Sequence, residues 1–514
     1  MKDKIYIILF TALALLAVSC NDFLDEVPDN RAEVDTPEKI TRLLVSGYPN
    51  TSYAFIAEMY SDNTDVMDLA YEYSDFQQEL FEWRNNVAFI NWDSPFALWT
   101  DCYNAIASAN VALEAIQKLG DTDNLSPQKG EALLCRAYSH FNLVNIFCVH
   151  YGSNSLIDLG IPYVTKPEKV VRAQYERGTV AEVYEKIRED LEAGLLLIDD
   201  NNYRVPKFHF NKKAAYAFAA RFYLYMGEYD NVVKYANLLL GENPAALLMN
   251  WADLGALTPN GNVQPDYFIQ DPAALMLITS SSEWPVYHGP LMAGRKYAHG
   301  SSIYNAETTG ATTPWGNLTS IIKQKPFNNS ALVRMPTRKI GRYFEYVDQI
   351  AGIGYPNMMY PAFVVDETLL CRAEAYIMQG EYDKAIDDMN TFMKAFTNCS
   401  DVSLSTITSF YQRMNYYTYD KPTSKKKLNP DFIAIADEEQ ENLIHAILML
   451  RRILTIHEGL RWFDIKRYGI EVSRRSVSIN GTFRQLDILK KDDLRRAIQL
   501  PTDVVDAGLT PNPR

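Results

Sequence analysis

The chain of 514 residues is short of positive charge, of cysteine and of histidine. Lys plus Arg number 50 against 64 Asp plus Glu, a formal charge of −14. A chain this acidic is a poor match for phosphate backbones over any broad face, which argues against a nucleic-acid partner. Cysteines number six, and none has a Cys-x-x-Cys neighbour. The five after Cys20 (Cys102, Cys135, Cys148, Cys371 and Cys399) are too sparse for a disulfide framework. Cys135 and Cys371 lie within helical apolar patterns and are expected as small buried residues. His457-Glu458 is followed by Gly459-Leu460-Arg461, so the His-Glu-x-x-His zinc pattern is missing. A Gly-Lys-Ser/Thr phosphate loop, a Gly-x-Ser-x-Gly elbow and a dinucleotide fingerprint are missing too. Past the N-terminus no apolar run approaches the ~20 residues of a spanning helix.

What the chain does have is apolar residues at 47% and aromatics at 12%, with 33 Tyr and 7 Trp. That excludes a mostly disordered chain or a fibrous repeat. At ~150 residues per domain, the length fits about three domains or one large body with insertions.

The N-terminus is basic at Lys2 and Lys4, apolar from Ile5 to Val18, and then reads Ser19-Cys20. This is an export signal, with residues 1–19 as the leader. Leu16-Ala17-Val18-Ser19-Cys20 resembles a bacterial lipobox, in which the cysteine is acylated and opens the mature chain. The alternative is an ordinary signal peptide cut near Ser19. Several acyl chains on Cys20 hold lastingly, where one alone holds marginally. Asp22, Asp25 and Glu26 follow directly and resemble the acidic sorting signal of surface lipoproteins in Bacteroidetes-type bacteria. Residues 20–35 read as a tether.

Apolar periodicity predicts helices over Trp99–Leu119, Lys129–Phe147 and Thr179–Ile198. Two hairpins then share one device. Asn211–Met226 stops at Gly227 before Tyr229–Leu240, and Asp366–Gln379 stops at Gly380 before Tyr382–Phe396. Both turns read Gly-Glu-Tyr-Asp, and at the same offset Ala220 matches Ala373 and Tyr223 matches Tyr376. Small residues let helices approach while aromatics fill the groove, as in tetratricopeptide hairpins. The fold expected is all-α dominated: stacked, irregular tetratricopeptide-like hairpins over 36–241 and 361–514. Between them, 242–360 is an irregular, aromatic-rich insertion with no amphipathic helix longer than two turns. Further irregular stretches are expected at about 62–98 and 397–431.

Several motifs resemble the SusD/RagB family of outer-membrane lipoproteins. They are Cys20-Asn21-Asp22-Phe23-Leu24-Asp25 with Pro28, Trp99 to Ile106 with Ala109-Asn110, and Arg136-Ala137-Tyr138 with Tyr151-Gly152. Ala373-Glu374-Ala375, Glu458 to Gly469, Asp493-Leu494-Arg495 and Leu500-Pro501 complete the series. The resemblance implies a non-catalytic protein on the extracellular face of the outer membrane. It implies lipid anchoring, pairing with a SusC-like TonB-dependent transporter, and capture of a glycan or, alternatively, a peptide. No cofactor is implied. Structural calcium stays open, although no Asp-x-Asp-x-Asp-Gly loop is present.

A glycan site needs exposed rings for the flat sugar faces and amides or acids for the hydroxyls. Trp92, Trp284, Tyr304 and Trp315 are the ligand-binding candidates, each among Asn, Pro or Thr in an irregular stretch. Trp99 and Trp462 are expected to pack inside. Arg461 and Asp464, with Glu458 three positions before Arg461, are expected as a structural ionic network. A glycoside hydrolase would need two carboxylates across a cleft, for which Glu283 with Glu307 or Asp93 are the candidates. His288 and His299 are the only histidines placed to meet in the insertion.

Overall fold

A computed structural model describes residues 34–68, 73–85, 92–170, 173–257, 263–285, 296–324, 327–328, 334–335 and 339–514. The leader, Cys20, the tether up to residue 33, and His288 lie outside the described residues. Helices make up about half of the described residues. No described helix is long and apolar enough to cross a membrane.

The helices that build the body are α1 (Pro37–Leu44), α2 (Ala54–Tyr60), α3 (Asp75–Phe81), α4 (Pro95–Lys118), α5 (Ser126–Phe147), α6 (Val180–Leu197), α7 (Lys212–Met226) and α8 (Tyr229–Leu240). After the insertion come α9 (Val365–Met378), α10 (Tyr382–Phe396), α11 (Leu404–Arg413), α12 (Glu438–Leu454) and α13 (Leu460–Arg467). The predicted hairpins stand. Gly227 and Gly380 adopt φ of 74° and 76°, a left-handed turn that glycine enters without a Cβ clash. Ala220, Ala373 and Tyr223 are buried, and the Tyr223 ring stacks on Tyr235 at 5.6 Å. The second hairpin packs on the first through α8 and α9, so the chain returns beside the point it left.

The stack is cross-tied by a repeated polar triplet. Arg136 on α5 donates two bonds of 2.6 Å to Asp190 on α6 and one of 2.9 Å to Asn110 on α4. Arg372 on α9 donates bonds of 2.8 and 2.7 Å to Asp388 on α10 and one of 2.7 Å to Asn237 on α8. In each case a fork-shaped guanidinium in the middle helix reaches both neighbours.

The insertion is more regular than its composition suggested. Strands β2 (Ala274–Ser281), β4 (Gly341–Asp348) and β5 (Ile353–Val364) form an antiparallel sheet with β5 in the middle. Pro356 and Pro361 hid β5, because a proline lacks the N–H that a central strand needs. The chain absorbs the second one at an irregularity, where Pro361 faces Leu277 beside a register shift. A second sheet has the order β7-β6-β1-β3, from β7 (Phe483–Leu489), β6 (Val472–Val477), β1 (Asp65–Met67) and β3 (Tyr297–Ala298). The C-terminal region is therefore not wholly helical. The Asn480-Gly481 pair between β6 and β7 is a hairpin signal that the helical reading passed over. One apolar core runs from Tyr53 to Leu500 through every region. The five described cysteines are free thiols, all buried except the half-buried Cys399.

Replacing Arg372 with Ala strands the buried Asp388 carboxylate. We expect a loss of about 3–5 kcal/mol, read as a drop in denaturation midpoint. The double replacement Arg372→Met/Asp388→Leu should recover most of it.

Candidate functional site

Short backbone segments from distant parts of the sequence converge on one rim. Strand β1 pairs antiparallel with β3 and parallel with β6, which brings residues 68, 296 and 477 together. Helix α3 begins beside them, capped by a reciprocal pair in which the Ser74 hydroxyl accepts from Gln77 N–H and the Gln77 side chain accepts from Ser74 N–H. Beneath, the Arg474 guanidinium lies between the Phe81 and Trp83 rings at 4.2 and 4.1 Å. It donates to the carbonyls of Phe81, Ser61 and Met59.

Two rings stand open, Tyr73 on this rim and Trp92 on the segment that leads into α4. Tyr73 is 44% exposed, with its edge against Tyr297 at 6.1 Å and the Lys296 ammonium 3.8 Å over its face. Trp92 is 40% exposed. The residues after Trp92 fix its backbone. Ser94 caps α4 by accepting from Ala97 N–H, and Pro95 opens the helix. Asp93 is buried, and its carboxylate accepts 2.6 Å from the Ser282 hydroxyl and 2.9 Å from Glu283 N–H. The Ser282 oxygen in turn accepts from Trp284 N–H at 3.0 Å. One carboxylate thus ties the segment carrying Trp92 to the end of β2. Burial pushes the Asp93 carboxyl up from 3.8 to about 7, against the pull of its two hydrogen bonds.

The other three candidate rings are corrected by the structure. Trp284 is fully buried against Phe55 at 4.7 Å, and its indole N–H donates 2.7 Å to the His457 carbonyl. Tyr304 is 4% exposed, and its ring fills the space that a side chain at Gly310 would need. Trp315 is 7% exposed and donates 2.7 Å to the Asn390 side chain on α10. Each indole finds its N–H partner in the scaffold, the condition for burying such a ring. These three rings therefore serve as core for the insertion and offer no open face. Tyr73 was missed, for it sits in an aromatic-rich stretch with nothing in the sequence to mark it from Tyr71.

The hydrolase pair fares similarly. Glu307 is buried among Lys426 (2.6 Å), Arg475 (2.9 Å) and Arg452 (3.1 Å), which hold its carboxyl low. His299 is buried between Asn63 O and the Thr308 hydroxyl, and burial pushes its pKa far down. The expected ionic network divides into separate clusters. Arg461 binds Asp62 with two bonds of 2.9 Å. Asp464 binds Arg451 and Arg467, and Glu458 pairs with the buried Lys339. On a helix, positions three apart need not join when tertiary partners compete. Among the described residues no three His, Cys, Asp or Glu gather as a metal site.

The Asp93 clamp yields a pH signature. Its folded pKa of about 7 exceeds its ordinary 3.8, so between those values the folded chain holds the extra proton. Its contribution to stability is therefore greatest near pH 4 and is lost as pH rises to about 7, by at most about 1.4 kcal/mol per pH unit. Asp93→Asn should remove that slope, so melting temperatures of the two proteins should draw apart between pH 5 and pH 8, with the variant relatively more stable at the higher pH.

Comparison with known proteins fits this architecture. A SusD-like family described as "Starch-binding associating with outer membrane" matches residues 22–224. A SusD-like protein of Formosa agariphila is 22% identical over 427 residues, covering 76% of this chain and 74% of its own. Among solved structures, a protein of Bacteroides vulgatus described as a "putative sugar binding protein" superposes with a TM-score of 0.64 at 17% identity, covering 94% of this chain and 99% of its own. A SusD superfamily protein of Bacteroides thetaiotaomicron superposes with a TM-score of 0.61 at 18% identity, covering 93% of this chain and all of its own. The chain thus matches a SusD-like family model over its N-terminal region and shares the fold of solved SusD superfamily proteins over nearly its whole length.

Proposed function

We propose that the protein is a non-catalytic capture protein for oligosaccharide. It holds the ligand on the open rings of Trp92 and Tyr73, on the extracellular face of the outer membrane, and passes it to a SusC-like TonB-dependent transporter. The observation that carries this reading is the open Trp92 ring, whose neighbour Asp93 fixes it to the end of β2. A ring whose backbone is already held loses little freedom when a sugar stacks on it. The names of similar proteins, which include sugar-binding and carbohydrate-binding ones, support a carbohydrate over a peptide. The net charge of −14 favours neutral sugars over heavily sulfated ones. The sealed ion pairs around Glu307 argue against its use as an acid or base of a hydrolase. Anchoring is assigned to acyl chains on Cys20.

A glycan array followed by calorimetry tests the binding claim. Trp92→Ala and Tyr73→Ala should each weaken the best ligand at least tenfold with unchanged melting temperature. Trp315→Ala should instead lower the melting temperature. Binding that survives loss of both open rings, or that is found for peptides alone, overturns the reading.

Lipidation is tested separately. Cys20→Ala should move the protein out of the membrane fraction and abolish incorporation of labelled palmitate. A palmitate-labelled Cys20→Ala protein would contradict the assignment.

A further inference from the structure

A cavity of about 540 Å³ lies along α4. Its floor is Trp99, Tyr103, Ala107 and Val111, and Val504 and Leu509 face them from the C-terminal segment. Tyr103 is fixed in that floor by donating 2.8 Å to the Pro162 carbonyl. Ala107 is exposed and Val111 half-buried, so the helix face is open here. An apolar helix face in a folded chain normally has a cover.

The page supplies a cover of the right length and position. Ala107, Val111 and Ala115 stand at i, i+4 and i+8, one stripe of the helix. Ala115 belongs to the small apolar cluster formed by α1, α4 and α5, and Val34, where the continuous described chain begins, packs on that same cluster. The stripe thus leads from the cavity, past the Glu114–Lys169 ion pair, to the cluster at the entry of the chain. Ala107 lies about 12 Å from Ala115 along the helix axis. Ten residues of extended chain before Val34 reach as far as ~33 Å. Those residues carry Phe23-Leu24 and Val27-Pro28 at a spacing of four, amid Asp22, Asp25, Glu26 and Asp29. Their apolar pairs have no role in a free tether, where polar residues serve better.

We propose that residues 23–28 dock in this groove, with Phe23 and Leu24 filling the cavity against Trp99 and Ala107. The segment after Cys20 then is part of the body, and only two residues separate the anchor from a fixed point. The inference stands apart from carbohydrate capture, because the groove is lined by none of the rim residues.

The test places a photoreactive benzoylphenylalanine at Leu24 in the full chain, extracted in detergent after irradiation in cells. We expect a crosslink within the same chain to residues 99–111 or 504–509, mapped by mass spectrometry. Hydrogen exchange on the unsubstituted chain should show amides 23–28 exchanging at least tenfold more slowly than a free peptide. Ala107→Arg should abolish both the crosslink and the protection. Free-peptide exchange at 23–28 in the unsubstituted chain overturns the proposal. So does a crosslink to a second copy or to another protein, for then the groove has a different occupant.

Discussion

The structure depends on guanidinium groups buried where they meet carboxylates from remote parts of the chain. At the centre, Asp62 and Asp65 from the N-terminal third and Glu307 from the insertion face Arg452, Arg461 and Arg475 from the C-terminal third, with Lys426 beside them. All are nearly sealed from water. Burying one charge alone costs several kcal/mol, so no segment is stable there without the others. Burial pushes Lys426 down to about 8, yet it keeps Glu307 at 2.6 Å and the Tyr417 ring at 3.1 Å. Such a cluster is weak evidence for high stability. It is strong in specifying how three stretches of chain meet, because a misplaced partner leaves a bare charge.

The same logic spaces the helices. The Asn–Arg–Asp triplets centred on Arg136 and Arg372 each span three helices, so they set separation and rotation together. Apolar packing between Ala-rich faces allows sliding, and a two-pronged ion pair does not. Arg221 joins in another way, since it binds Glu367 on α9 and the Ala362 carbonyl on β5. The insertion is thereby fixed to the stack at the strand that leads back into it.

The helical half of this architecture was legible because its signals are local. Periodicity placed α5 to α10 within a few residues, and Gly227 and Gly380 marked the turns. The central sheet was not legible, since prolines in β5 broke the local pattern and one of its two partners, β2, lies some 80 residues earlier in sequence. Of the ligand candidates, only Trp92 emerged open. Whether an indole in a loop is platform or core depends on a distant acceptor: the His457 carbonyl for Trp284, the Asn390 side chain for Trp315. Neighbouring residues in the sequence carry no trace of those acceptors. Arg461 was read as part of an ionic network with Asp464 and Glu458; it is buried, but its partner is Asp62, almost 400 residues away in sequence.

Asp93 has one further effect, because a single carboxylate stitches two loops that sequence separates by 189 residues. Restraint on one is restraint on the other. A molecule that holds Trp92 still therefore also bears on Ser282 and Glu283, which follow β2. Two surfaces joined in this way answer as a unit, and tightness at one is felt at its neighbour without any contact between them.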